Sequence, residues 1–255
     1  MTSIKTNLHI KLDNMFPFYT LCKKEILATL LSPFCPLLLI TTILSSSLSL
    51  LANHSWLSAG LSTLKNYFAS IPLILIITFP MLTMNVWADE KKQNTAMLLL
   101  SMPISPRTII YAKYTSRLLV WLFMLLLLML PPVSLIFLLQ IEVLSFLLSY
   151  FVAFLLGASL LAVSQAISFS SIHPAVNFLL TFISLITLNI THVLSPLFHK
   201  TGHIWTIFEK LFSYISFSSH FENASKGIFD SRDIVFYLVI SVFALELNVF
   251  ILKND

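Results

Sequence analysis

Four glycines and two cysteines in 255 residues leave little material for chemistry that depends on either. A phosphate cradle needs a glycine-rich turn whose backbone N–H groups face the ligand. With only Gly60, Gly157, Gly202 and Gly227, and no Gly-Lys-Ser or Gly-Lys-Thr run, the chain carries no such nucleotide site. Cys22 and Cys35 lack the spacing of a metal site, and no disulfide is expected between them. There is no HExxH, and no Ser-His-Asp or Cys-His arrangement can be nominated, so autonomous catalysis is not expected. Charge is scarce too. Asp, Glu, Lys and Arg make up 10% of the chain against 57% hydrophobic residues, 22 of them Phe, which excludes an ordinary soluble domain. A net charge of +4 is no sign of nucleic acid in such a chain, because membrane proteins gather Lys and Arg in cytoplasmic loops.

What the chain does have is long apolar runs at a mean hydropathy of +0.90. A span takes about 20 apolar residues, and six are expected: 34–51, 67–86, 114–131, 143–166, 175–193 and 234–252. The weak polar break Gln140-Ile141-Glu142 separates the third from the fourth, and a misreading there would leave five. The fold expected is all-α, a polytopic membrane protein. Residues 1–33 form a cytosolic N-terminus, retained rather than cleaved, whose mixed segment Tyr19 to Ser32 is read as an interfacial helix ended by Pro33. Residues 34–252 form the six-span domain. Loop 52–66 and the mixed segment 195–232 are expected outside, the latter as short helices on the outer surface. With both termini inside, ten Lys and Arg fall on the cytosolic side and five outside, which favours this orientation.

The densest polar segment follows the second span: Asp89-Glu90-Lys91-Lys92-Gln93-Asn94-Thr95, then Ala96 to Pro103. Most of it is good helix former, Trp87 is expected at the membrane interface, and Asp89 can cap a new helix. Two readings stand. Residues 89–106 are a cytosolic coupling segment that inserts into a soluble partner, or a solvated loop kept for topology. Three consecutive leucines, Leu98 to Leu100, favour docking over a solvated loop and would equally suit contact with lipid.

Two further groups invite a site. His199 and His203 stand four apart with His220 on the same expected side, but no carboxylate completes a ligand set, so no metal is expected. Glu246 lies inside the last span, where an ionisable group is a functional hypothesis by default. Its own helix offers no basic neighbour, so it lines a pathway in the subunit interior, pairs with another helix or another chain, or is protonated; the alternative is that it reaches the cytosolic headgroups near Leu252. Asn177, Asn189 and Asn248 are expected to hydrogen-bond between helices.

These residues together resemble the permease subunits of ABC-2 type ABC transporters, closest in layout to the short six-span permeases of gliding motility and copper maturation. The matching residues are Lys23-Lys24-Glu25 and Ser32-Pro33 before span one. After span two come Glu90, Thr95, Leu98-Leu99, Met102-Pro103-Ile104-Ser105 and then Lys113; Asn94 stands at the family's glycine and Met97 at its second acid. Near the end come His220-Phe221, Lys226-Gly227-Ile228-Phe229-Asp230 and Asp233-Ile234-Val235. The resemblance implies a transport subunit of a bacterial inner membrane, mostly exporting. It implies two copies of a cytosolic ATPase, which hold ATP and Mg while this chain holds no cofactor, and a second permease subunit, alike or different. It further implies ATPase coupling through Lys24, Glu25, Glu90, Thr95, Leu98, Leu99 and Pro103. Two other classes compete: an ion-coupled secondary transporter, for which Glu246 and Pro131-Pro132 are a thin signal, and a non-transporting scaffold subunit.

Overall fold

A computed structural model describes residues 18–51, 61–93, 95, 104–139, 143–198, 216–225 and 230–254. Among these the chain is all helical, without strands: α1 Phe18–Leu30, α2 Phe34–Leu51, α3 Leu61–Thr83, α4 Asn85–Lys92, α5 Pro106–Leu139, α6 Val143–Ile167, α7 Pro174–Phe198, α8 Phe217–Ser225 and α9 Ser231–Asn254. Four helical stretches are long and apolar enough to cross a membrane: the run through α3 and α4, α5, α6 and α9. A fifth is available if α1 and α2 form one broken span; they meet at a 71° bend. The bend lies at Leu31-Ser32-Pro33, where Pro33 removes a backbone donor and clashes with the preceding turn. In α7, Pro174–Asn189 is a shorter apolar stretch.

The bundle has an apolar core and, unlike a water-soluble protein, an apolar outside as well. On α9, Val235, Leu238, Val242 and Phe243 are exposed, whereas Asp233, Ser241 and Asn248 are buried. An apolar face of this size suits a hydrocarbon surround. Buried hydroxyls mostly close on their own helix, as Thr42 does on the Leu39 carbonyl (2.8 Å), Thr78 on Ile74 (3.0 Å) and Ser164 on Leu160 (2.7 Å), which meets the demand that buried donors be satisfied.

Helix α6 is the hub. It touches α3, α5, α7, α8 and α9, and 72% of its apolar stretch is buried against 33% of α9. Its small residues Gly157, Ala158, Ser159 and Ala162 permit this close approach. At one end of the bundle Tyr67 and Tyr150 share the Leu128 carbonyl (2.5 and 3.2 Å), joining α3, α5 and α6. The helix α5 runs through Pro131 and Pro132 without ending.

Three expectations are corrected. The helix preceding the polar segment starts at Leu61, earlier than Tyr67, because Leu61 to Asn66 contain no helix breaker. Asp89 does not cap a new helix: α4 starts at Asn85 after a turn at Met84, so Asp89 lies within it. The reason is burial. Val86, Trp87 and Ala88 are packed inside the protein, which holds the chain helical there and takes Trp87 away from any interface. Of the segment 195–232 expected as short helices on the outer surface, residues 199–215 and 226–229 lie outside the described residues; in α8, Phe217 and Phe221 are buried against α3, α6 and α7.

Candidate functional site

The bundle end opposite Tyr67 and Tyr150 gathers α1, α4, the start of α5, the loop after α6 and the end of α9. Helix α5 begins cleanly there. The Ser105 hydroxyl accepts from the Thr108 N–H (3.2 Å), and Pro106 occupies the first helical position. Two turns on, Lys113 and Arg117 stand four residues apart and therefore on one face, turned toward α1 and α4.

Those two cations organise a buried cluster. The Lys113 ammonium donates to Glu25 Oε1 on α1 (2.9 Å), to Glu90 Oε1 on α4 (2.8 Å) and to the Val86 carbonyl (3.0 Å), which uses all three of its N–H bonds. It also lies 4.7 Å from the centre of the Trp87 ring. Arg117 donates from Nη2 to Glu25 Oε2 (3.1 Å) and from Nη1 to the Lys113 carbonyl (3.0 Å). Glu25 thus spends one oxygen on each cation. Two carboxylates balance two cations, as a site withdrawn from water requires. Arg117 Nε and Glu90 Oε2 stay buried without a hydrogen-bond partner among the described residues.

Burial alone would push the Glu25 carboxyl up, but the charges of Arg117 and Lys113 and their hydrogen bonds outweigh it and hold it at about 2, against an ordinary 4.5. A lowered carboxylate contributes its stability in full above 4.5 and loses it as the pH falls through about 2. Acid titration of the detergent-solubilised protein is therefore expected to leave the α1–α5 contact intact at pH 4, with release confined to about pH 3 and below. A label at exposed Lys24, read by fluorescence, checks this; release between pH 5 and 4 would contradict it.

A bed of further contacts fixes α4 and α1. Lys91 donates to the Phe169 carbonyl in the loop after α6 (2.9 Å) and sits 3.6 Å from the centre of that ring. Trp87 meets the same ring edge-on at 5.1 Å. Asn177 bridges this loop to the Met84 carbonyl (3.4 Å), and Cys22 bonds across to Thr115 (2.9 Å). Both cysteines are free and buried.

Of the expected coupling residues, Glu25 and Glu90 meet on Lys113. Lys24 is exposed beside them, and Thr95 donates to the Glu90 carbonyl (3.3 Å). Leu98, Leu99 and Pro103 lie outside the described residues, as do His199 and His203. Arg117, which in the sequence counts only among the ten cytosolic Lys and Arg, joins the cluster through Glu25. The i,i+4 pair Lys113/Arg117 at the foot of an apolar helix was the signal available.

Glu246 lies at this same end, half-exposed, and takes an N–H of Arg107 on α5 (3.1 Å) and the Tyr111 hydroxyl (3.4 Å). The basic partner that its own helix could not supply comes from another. Such an exposed pair contributes about 0–1 kcal/mol. Among the other expected hydrogen bonders, Asn189 accepts from Ser218 on α8 (2.9 Å), whereas both amide atoms of Asn248 are buried without a partner among the described residues. At the far end His220 pairs with Asp233 (2.6 Å) and stacks on Phe236 at 4.0 Å. Two pieces of the C-terminal pattern are thereby joined.

Among the described residues no group of three or more His, Cys, Asp or Glu could hold a metal ion. Neither a protein-family model nor a curated protein matches this chain.

Proposed function

We propose that this protein is the permease subunit of an ABC-2 type transporter, an exporter driven by ATP hydrolysis on a separate cytosolic ATPase. In this reading α2, α3, α5, α6, α7 and α9 are six spans, both termini are cytosolic, and the membrane is a bacterial inner membrane. Helix α1 lies along the inner surface and α4 continues into the coupling segment. Two such subunits, alike or different, stand over two ATPases holding ATP and Mg.

The observation that carries the reading is the cluster itself. Glu25, Glu90 and Lys113 were singled out by resemblance from three separate stretches of sequence, and they meet within 2.9 Å of one ammonium. A push on α4 from below would reach α1 and the foot of α5 through these bonds without crossing a flexible connection. The exposed side chains of Lys92 and Gln93 lie beside it and offer the face on which an ATPase would bear.

Two experiments test this. Cysteine labelling in intact cells is expected to spare Asn94→Cys and to modify Thr201→Cys from the outer side; the reverse pattern would overturn the orientation. With a P-loop ATPase expressed alongside, a photo-reactive group at Gln93 is expected to cross-link to it, while one at Val239, on the exposed apolar face of α9, is not. Equal cross-linking from both positions would count against a docking face on α4.

A further inference from the structure

Beside the cluster, where α1 breaks from α2, lies a cavity of about 520 Å³, within the size range of small-molecule sites. Its walls differ. One carries Lys24, Lys113 and Arg117 together with Glu25, Asp89 and Glu90, three cations against three carboxylates. The other is apolar, made by Pro33, Phe34, Leu38, Met81 and Leu82.

The charge balance excludes a simple ion as the preferred occupant, because either sign meets as many like as opposite charges. A ligand with both signs escapes that conflict. The charges that stay exposed on the lining carry both signs, Lys24 on α1 and Asp89 on α4. The occupant should thus offer an anionic acceptor and an N–H-bearing cation. Its remainder should be apolar, since Phe34 opens a stripe that continues over exposed Leu37, Ile40, Leu44 and Leu48 along α2.

We propose that this cavity binds a zwitterionic amphiphile, its head group bearing a phosphate and a primary ammonium and its chain lying along α2. The phosphate faces Lys24 and Arg117 and the ammonium faces Asp89 and Glu90. The site does not depend on the transport reading; it requires only that α2 face lipid.

The test is native mass spectrometry of the full chain in detergent, with added phosphatidylethanolamine, phosphatidylcholine or phosphatidylglycerol of equal chains. Phosphatidylethanolamine is expected to be retained about tenfold better than either of the others. Phosphatidylcholine has no ammonium N–H to donate, and phosphatidylglycerol has no cation. Ala28→Trp, which fills the mouth from an exposed position on α1, is expected to abolish retention without changing the thermal midpoint. Asp89→Asn is expected to reduce the preference several-fold. Release by soluble glycerophosphoethanolamine would identify a head-group site open to the free molecule, whereas its failure to compete would identify a bilayer lipid held also by its chain; both uphold the site. Equal retention of the three lipids, no retention of any, or retention unchanged in Ala28→Trp would overturn it.

Discussion

Replacing Lys113 with methionine is expected to lower the stability of the solubilised protein by about 3–5 kcal/mol, the usual cost of leaving a buried charge without its partner. The ammonium is 3% exposed and spends every N–H it has. Its loss strands Glu90 altogether and leaves Glu25 with Arg117 alone. The thermal midpoint in detergent, followed by tryptophan fluorescence, gives the size of the effect. The double variant Lys113→Met, Glu90→Gln removes both members of one pair and keeps the Glu25–Arg117 pair (3.1 Å). It is expected to recover a large part of the loss, because what destabilises is the uncompensated charge and not the absence of the bridge. Lys113→Arg is expected to fall between them, since a planar fork does not reproduce three divergent donors. If the single variant matched the wild type, the cluster would not be buried as described.

Gly157→Ala is the second large effect expected. A methyl group on Gly157 would enter the Trp121 indole, clashing with Nε1 and Cε2 and coming within 2.7 Å of Cζ2. That ring has nowhere to go. It is fully buried, meets Phe79 edge-on at 5.2 Å, and donates to the Phe154 carbonyl at 3.4 Å. Because the obstacle is a rigid ring and not the end of a flexible chain, α5 and α6 must separate. Overpacking of this kind costs about 1–3 kcal/mol, and Gly157→Val should cost more. Trp121→Phe is destabilising by itself through lost packing, yet combined with Gly157→Ala it is expected to be milder than the sum. Additive midpoints would mean that the two residues do not touch.

The all-helical class and the strongest helices were legible in the sequence because apolar runs bounded by charge or proline have few alternatives. The break at Pro33 is such a case. What could not be read was anything decided by a second helix. Asp89 is a good cap in isolation, but the packing of Val86, Trp87 and Ala88 keeps the helix running past it. Glu246 looked unpaired because its partner, Arg107, is 139 positions away. In the sequence Lys113 is a single matched residue at the foot of a span and Arg117 only one of the ten cytosolic charges. Only when α1 folds back after a 71° bend do they become the centre of a site. Family resemblance did pick out Glu25, Glu90 and Lys113 separately, but nothing in their spacing, 65 and 23 positions apart, says that they touch.

The central claim is that this end of the bundle takes up work from an ATPase on another chain. Its most direct test is vanadate-sensitive ATP hydrolysis in proteoliposomes holding the full chain and a co-expressed P-loop ATPase. Addition of the wild-type chain is expected to stimulate hydrolysis severalfold. Lys92→Glu, an exposed change on α4 outside the cluster, is expected to remove most of that stimulation while leaving membrane insertion and the thermal midpoint unchanged. Hydrolysis that is indifferent to the wild-type chain, or stimulation that Lys92→Glu and wild type share equally, would contradict the account.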